Sequence, residues 1–285
     1  MNSKGLIEEK TIYKVNSFYL GVVLWSILVQ FLPIPTNSYQ YIALLIPIGI
    51  YLFKNRDEAE RILKPNLLNL KSVIIIFIIW FLMLPIIISI VELYTRLFGS
   101  TFPDIIAEDS HPSFIGNLFF TAITPAILEE MLMRGIILDG YRHKSRFVAA
   151  LVNGLMFGML HLNFFQFFHT FVAGFVASYL VFATNSIYAG IIVHFINNSF
   201  PIFMDYLSPP EPNVDYTSNP NLLAIIISIT FSVAAISFLL KLLAKINGVE
   251  LKKEYHISDE KILNKPLIRS IVLFVGFSTI LVLAL

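Results

Sequence analysis

Nine stretches of mostly apolar residues, most of them about as long as a bilayer-crossing helix, leave this chain little room for any fold but a bundle of membrane spans. They run Tyr13–Phe31, Ser38–Phe53, Val73–Leu97, Phe114–Asp139, Phe147–His161, Gln166–Ala183, Ser186–Leu207, Leu222–Leu243 and Leu267–Leu285. The second, fifth and sixth are short and call for tilt or local thinning. Hydrophobic residues make up 56% of the chain and charged residues 14%. A soluble domain carries about 25% charged residues, so polar surface is too scarce here to cover a water-soluble globule. The same balance excludes intrinsic disorder. A net charge of +1, with no basic stretch interleaved with aromatics, gives no footprint for nucleic acid. The absence of cysteine excludes disulfides, thiol nucleophiles and thiolate metal sites. The expected fold is all-α: one polytopic membrane domain over residues 1–285, with eight or nine transmembrane helices.

Charge asymmetry sets the expected orientation. With the N-terminus inside, 18 of the 20 basic residues fall in or beside the inside segments. These are Lys4, Lys10 and Lys14; Lys54, Arg56, Arg61, Lys64 and Lys71; Arg142, Lys144 and Arg146; and Lys241, Lys245, Lys252, Lys253, Lys261, Lys265 and Arg269. The opposite loops carry Asp104, Glu108, Asp109, Glu211 and Asp215. This predicts a cytoplasmic N-terminus and an outside C-terminus. The first apolar run lacks a small-residue cleavage site and reads as a retained anchor. The loop Lys54–Lys71 mixes charges with Ile62, Leu63, Leu67, Leu68 and Leu70, and is expected to hold a helix lying on the membrane surface.

Ionisable groups at membrane depth are costly and mark function by default. Of 19 acidic residues, only Glu129 and Glu130 lie deep in a span. Arg134 is the only deep basic residue, and His161, His169 and His194 are the histidines within spans. His111, His143 and His256 fall in loops. Glu130 and Arg134 are four residues apart with the glutamate first, the favourable orientation for an ion pair on one helix face. Glu129 points about 100° away and lacks that partner. Glu130 and Arg134 are therefore expected to be structural electrostatics, and Glu129 the reactive carboxylate. His194 and Asn198 share a face, as do Phe157 and His161. At about 1.5 Å per residue, Glu129, His161, His194 and Asn198 lie roughly 15, 21, 12 and 18 Å from the inside ends of their spans. Three separate spans thus bring polar groups toward the bilayer midplane.

Each feature also has a bland reading. Glu130 and Arg134 can be packing glue, and a lone intramembrane histidine is more often a satisfied packing residue than a catalyst. His169, with no ionisable neighbour four residues away, keeps that reading. Asn153 and Asn197 read as interhelical hydrogen-bonders, and Gly154-xxx-Gly158 and Gly174-xxx-Ser178 as close-packing ridges. Pro125 removes a helix hydrogen bond near Thr121 and makes room beside Glu129.

A carboxylate, two imidazoles and a carboxamide can activate water and stabilise an oxyanion. Glu129 is then the general base, His161 polarises or positions water, and His194 and Asn198 donate to the oxyanion. The same inventory can hold a divalent metal such as zinc through Glu129, His161 and His194. The His-Glu-x-x-His helix of soluble zinc proteases is missing.

Glu129-Glu130-xxx-Arg134-Gly135, then Phe157-xxx-His161, then His194-xxx-Asn198 resemble the three motifs of the CPBP family, which includes type II CAAX prenyl proteases and bacteriocin-processing proteins and is also called Abi. Asn185-Ser186-Ile187 and Ala189 extend the match, which covers roughly Ile115–Phe200. The resemblance implies an intramembrane endopeptidase with about eight helices. It implies that Glu129 and His161 handle water, that His194 and Asn198 form the oxyanion site, and that Glu130, Arg134 and Phe157 support them. Members are commonly described as metalloproteases, and a metal-free glutamate mechanism is also argued for them. The metal-free form is favoured here, since Asn198 suits an oxyanion better than a metal. The expected partners are a membrane-associated peptide or protein substrate and the lipid bilayer. CAAX-like processing, peptide maturation and bacteriocin immunity are the roles the family implies. A non-catalytic scaffold and a proton-coupled transporter using Glu129 and the histidines as a relay remain as alternatives.

Overall fold

The computed structural model describes residues 10–99, 113–207, 221–252 and 259–284. All nine apolar stretches are helical within those limits. We number the helices α1 (Thr11–Gln30), α2 (Ile46–Lys54), α3 (Ala59–Leu63), α4 (Leu70–Phe98), α5 (Phe114–Gly140), α6 (Arg146–Leu160), α7 (Phe164–Thr184), α8 (Ile187–Leu207), α9 (Leu222–Ile246) and α10 (Lys265–Ala284). Seven of these are long and apolar enough to cross a membrane: α1, α4, α5, α7, α8, α9 and α10. The other two apolar helices, Tyr41–Lys54 and Arg146–Leu160, are shorter. Among the described residues there are no strands.

The sixth stretch was expected to be short, but α7 has 21 residues. It starts at Phe164 because the Asn163 side chain accepts a hydrogen bond from the Gln166 N–H at 2.7 Å and caps the helix. The surface helix expected in Lys54–Lys71 is also corrected. Only Ala59–Leu63 is α-helical after a short 3-10 turn, and Ile62 is 2% exposed, packed into the protein core. Residues 64–69 run without helix, with Leu67 exposed. The aliphatic side chains of this loop are split between core and surroundings, so no single face is left to lie along a membrane.

Two apolar clusters organise the bundle. One joins α1, α2, α5, α6 and α10 through residues such as Tyr19, Ile48, Leu132, Met156 and Phe274. The other joins α4, α7, α8 and α9 through Ile76, Leu180, Val193 and Leu240. Helix α7 packs most closely on α6. A Cβ on Gly154 would come within 2.8 Å of the Phe171 carbonyl oxygen, and one on Gly158 within 2.7 Å of that of Phe167, so only glycine allows this approach. Asn153 completes the contact. Its Nδ2 donates to the Met133 carbonyl of α5 at 2.7 Å, and its Oδ1 accepts from Ser178 of α7 at 3.0 Å. The outer surface is apolar: Phe77, Phe81 and Ile88 of α4 and Phe231 and Phe238 of α9 are all exposed. A contiguous apolar exterior of this kind is stable in lipid and unstable in water. The protein is an integral membrane protein.

Contacts gather the basic loops at one end of the bundle. Thr11 donates to the Gly140 carbonyl at 2.8 Å, Lys14 to Asn55 at 2.8 Å, and Asn69 to Asn247 at 3.2 Å. Glu260 accepts from the backbone N–H groups of Ile12 and Tyr13. Arg61 pairs with Asp139 at the same end. Lys4, Lys253, the acidic residues Asp104, Glu108, Asp109, Glu211 and Asp215, and His111 and His256 lie outside the described residues. We propose that the basic end faces the cytoplasm. With no native cysteine, His143→Cys at the basic end and Leu207→Cys at the far end of α8 test this directly. An impermeant maleimide should label the second in intact cells and the first only after permeabilisation. The opposite pattern would invert the assignment.

Candidate active site

The polar residues meet at the seam between the two apolar clusters, in a cavity of about 150 Å³. Helix α5 brings Glu129, Glu130 and Arg134; the end of α6 brings Phe157 and His161; α8 brings His194, Asn197 and Asn198. Trp80 and Met83 of α4 and Gln166, His169 and Thr170 of α7 close the remaining wall. All four residues expected to do chemistry therefore line one space.

Helix α5 is not uniformly α-helical. It widens into π turns over Leu118–Ile123 and Met131–Ile137, on either side of the two glutamates. Such turns concentrate at functional sites because they release backbone groups and re-aim side chains. Pro125 offers no N–H to the Thr121 carbonyl, which instead accepts from Asn198 Nδ2 at 3.2 Å. That bond ties α8 to α5 beside the carboxylates. One Asn198 N–H remains for the cavity, while its Oδ1 accepts from Asn197 at 3.4 Å.

Glu130 and Arg134 form an ion pair at 2.8 Å, with both side chains 1% exposed. The same Glu130 Oε1 lies 3.0 Å from His194 Nδ1. A carboxylate oxygen accepts, so Nδ1 carries the proton and Nε2 is left for the cavity. Glu130 thus joins α5 to α8 as well as balancing Arg134, a link that helical spacing could not reveal. The carboxylate fits against α8 because residue 190 is glycine: a Cβ there would collide with Glu130 Oε2. The Arg134 guanidinium stacks 4.4 Å from the centre of the Phe157 ring. Phe157 also meets the rings of His161 and His194 edge-on, at 5.4 and 5.7 Å. It is the apolar post around which the charged groups are set.

Glu129 is the contrasting carboxylate. Its side chain is 15% exposed, and its Oε2 is buried with no hydrogen bond among the described residues. The His194 ring lies beside it, with Nε2 at 3.9 Å from that oxygen.

His161 was expected within a span. It stands instead just past the end of α6, at a turn inside the bundle. At 15 residues, α6 is about 22 Å long, short of the roughly 30 Å hydrocarbon core. The turn passes through Leu162 in the left-handed region (φ 55°) and is held by Asn163, whose Nδ2 donates to the His161 carbonyl at 2.8 Å and to Gln166 at 2.6 Å. Irregular backbone at this depth is tolerated where it lines a cavity. His161 Nδ1 faces the Phe157 carbonyl at 3.2 Å. A carbonyl only accepts, so Nδ1 is the protonated nitrogen and Nε2 is an acceptor.

His169, given the bland reading above, lines the cavity with Nδ1 buried and without a hydrogen bond among the described residues. Gln166 and Thr170 flank it. Nothing local marked this stripe, although Asn163-xx-Gln166 is a helix-start signature that locates the turn.

Glu129, His161 and His194 were the residues proposed to hold a metal. Among the described residues, no three His, Asp or Glu side chains stand in a metal-holding arrangement. Glu129 and His194 are near each other, and both histidines, with Nδ1 on protein acceptors, keep Nε2 free, but the three groups do not converge on one point. No step below is therefore routed through a metal.

Comparison with known proteins adds one result. Residues 111–200 match the family described as type II CAAX prenyl endopeptidase Rce1-like. No curated protein and no solved structure matches the chain. The matched segment covers the end of α5's approach, α5 to α7 and the part of α8 that carries His194 and Asn198, so every residue of the three motifs lies inside it. Over that segment, and with the three motifs it contains, the chain is similar to the type II CAAX prenyl endopeptidase Rce1-like family.

Proposed function

We propose that this protein is an intramembrane endopeptidase that hydrolyses a peptide bond of a membrane-associated peptide or protein with water activated by Glu129. The observation that carries the reading is the buried, unbonded Glu129 Oε2 facing the same cavity as His161, His194 and Asn198. A carboxylate with an idle oxygen beside a space that can hold water has the composition of a general base.

In this reading, water donates one proton to Glu129 and is oriented through its other proton by His161 Nε2. The water oxygen attacks the carbonyl carbon, and the carbonyl oxygen becomes an oxyanion. Asn198 donates to it from the N–H not spent on Thr121. His194, when it carries two protons, donates from Nδ1 to Glu130 and from Nε2 into the cavity. Arg134, Glu130, Glu129 and a doubly protonated His194 form a set of balanced charge, which suits a site shielded from water. The C–N bond then breaks, and Glu129 returns its proton to the departing amine. Gln166, His169 and Thr170 offer hydrogen bonds to the substrate backbone from the opposite wall. The family suggests the C-terminal end of a CAAX-like substrate, with peptide maturation and bacteriocin immunity as related roles.

Purified protein in proteoliposomes, given a library of membrane-anchored peptides, should release fragments. Strong zinc chelators should leave the rate within about twofold. Proton flux without fragments would favour the transporter reading. Loss of cleavage on chelation, restored by a divalent metal, would replace glutamate-activated water with metal-activated water.

A further inference from the structure

A second polar cavity lies far from the catalytic one, at the basic end of the bundle, where α6 begins and α7 and α9 end. It has a volume of about 680 Å³. Five cations line it, Lys64, Arg142, Lys144, Arg146 and Lys252, against two carboxylates, Asp139 and Glu250. Asp139 is moreover shared between Arg61 and Arg142. Among the described residues, Arg61 thus brings a further cation to the edge of the cavity. On its other side the wall is apolar, formed by Ala149, Val181 and Phe182.

This cavity is built rather than incidental. Lys64 sits in the left-handed region (φ 48°) and its carbonyl accepts from the Ile187 N–H of α8 at 3.1 Å. Two residues on, Asn66 donates from Nδ2 to the Asn185 carbonyl at 2.7 Å, and its own carbonyl accepts from the Ser186 hydroxyl. These bonds pin the segment after α3 to the turn between α7 and α8 and fix the Lys64 backbone. The Lys64 ammonium is largely buried and, among the described residues, donates only to the carbonyl of Ile62, at 3.4 Å. Burial holds its pKa below the usual lysine range. The Arg146 guanidinium lies 5.3 Å from the Phe182 ring centre, at the border between the charged and apolar walls. The start of α6 adds the positive end of a helix dipole to the same space.

We propose that this cavity binds an anionic phosphate, and that a phospholipid headgroup is the source its half-apolar wall fits. Basic pockets between membrane helices at a positively charged end recognise such headgroups by charge and shape. The proposal is independent of the proteolytic reading, because its test measures binding.

The delipidated full chain in a non-ionic detergent is titrated with phosphatidylglycerol, phosphatidylcholine and inorganic phosphate, with bound lipid counted by native mass spectrometry and melting followed in parallel. Phosphatidylglycerol should bind saturably, with a half-point at least tenfold below that of phosphatidylcholine. Lys64→Gln with Lys252→Gln should raise that half-point at least tenfold. Lys144→Gln with Lys252→Gln serves as the second pair should the first not fold. Lys54→Gln with Lys71→Gln removes the same charge from exposed positions outside the cavity and should leave binding unchanged. Inorganic phosphate saturating at the same half-point as phosphatidylglycerol would keep the site and make free phosphate its source. Equal weakening by the control pair, or equal binding of both lipids, would overturn the proposal.

Discussion

Glu129→Gln should reduce peptide cleavage on the order of 10²–10⁴-fold while the protein still inserts and folds. Glutamine keeps the size of the side chain and removes the proton acceptor. Because Glu129 Oε2 has no hydrogen bond among the described residues, little packing is disturbed. His194→Ala should cost about 10²–10³-fold, the usual loss when one oxyanion donor is removed. It also takes away the group that Glu130 Oε1 faces at 3.0 Å, so some loss of stability should accompany it. His161→Ala should fall with Glu129→Gln if both act on the same water, and the double variant should then be little worse than either single one. Rates measured on folded, reconstituted protein check these values. Full retained cleavage by any one variant would remove that residue from the catalytic set.

Arg134→Ala should have a different signature, dominated by stability. It leaves Glu130 unpaired at 1% exposure, and deleting one partner of a buried pair typically costs about 3–5 kcal/mol. It also empties the space over Phe157 that the guanidinium fills. Arg134→Ala combined with Glu130→Gln should recover part of the loss, since no bare charge remains and glutamine can still accept from His194. Glu129→Gln should melt at or slightly above the wild type. Melting curves in one detergent decide between these outcomes. If Glu129→Gln melts as low as Arg134→Ala, or the double variant shows no recovery, the division of roles between the two glutamates is wrong.

The parts of this structure that were legible in the sequence are those governed by local spacing. Twenty-residue apolar runs with charged ends locate the long helices, because the bilayer sets their length. The i,i+4 spacing of Glu130 and Arg134 specifies a pair on one helix face, and that pair is present at 2.8 Å. The Gly154-xxx-Gly158 ridge likewise meets the α7 backbone. What spacing cannot convey is contact between distant segments. The Glu130–His194 contact spans 64 residues, and the need for glycine at 190 exists only because Glu130 arrives from another helix. His161 lies at a turn rather than within a span because Asn163 caps the next helix, and apolar length alone places the end of a span only to within a few residues. His169 reads as a packing residue until α7 is placed against the cavity.

The most direct test of the central claim is hydrolysis in ¹⁸O-labelled water. Wild-type protein in proteoliposomes, incubated with membrane-anchored peptides, should give a new C-terminus carrying one ¹⁸O from solvent, read by mass spectrometry. Glu129→Gln, reconstituted to the same folded amount, should give none above background. Labelled product at the wild-type rate from Glu129→Gln, or no labelled product from the wild type with any peptide in the library, would contradict a protease that activates water through Glu129.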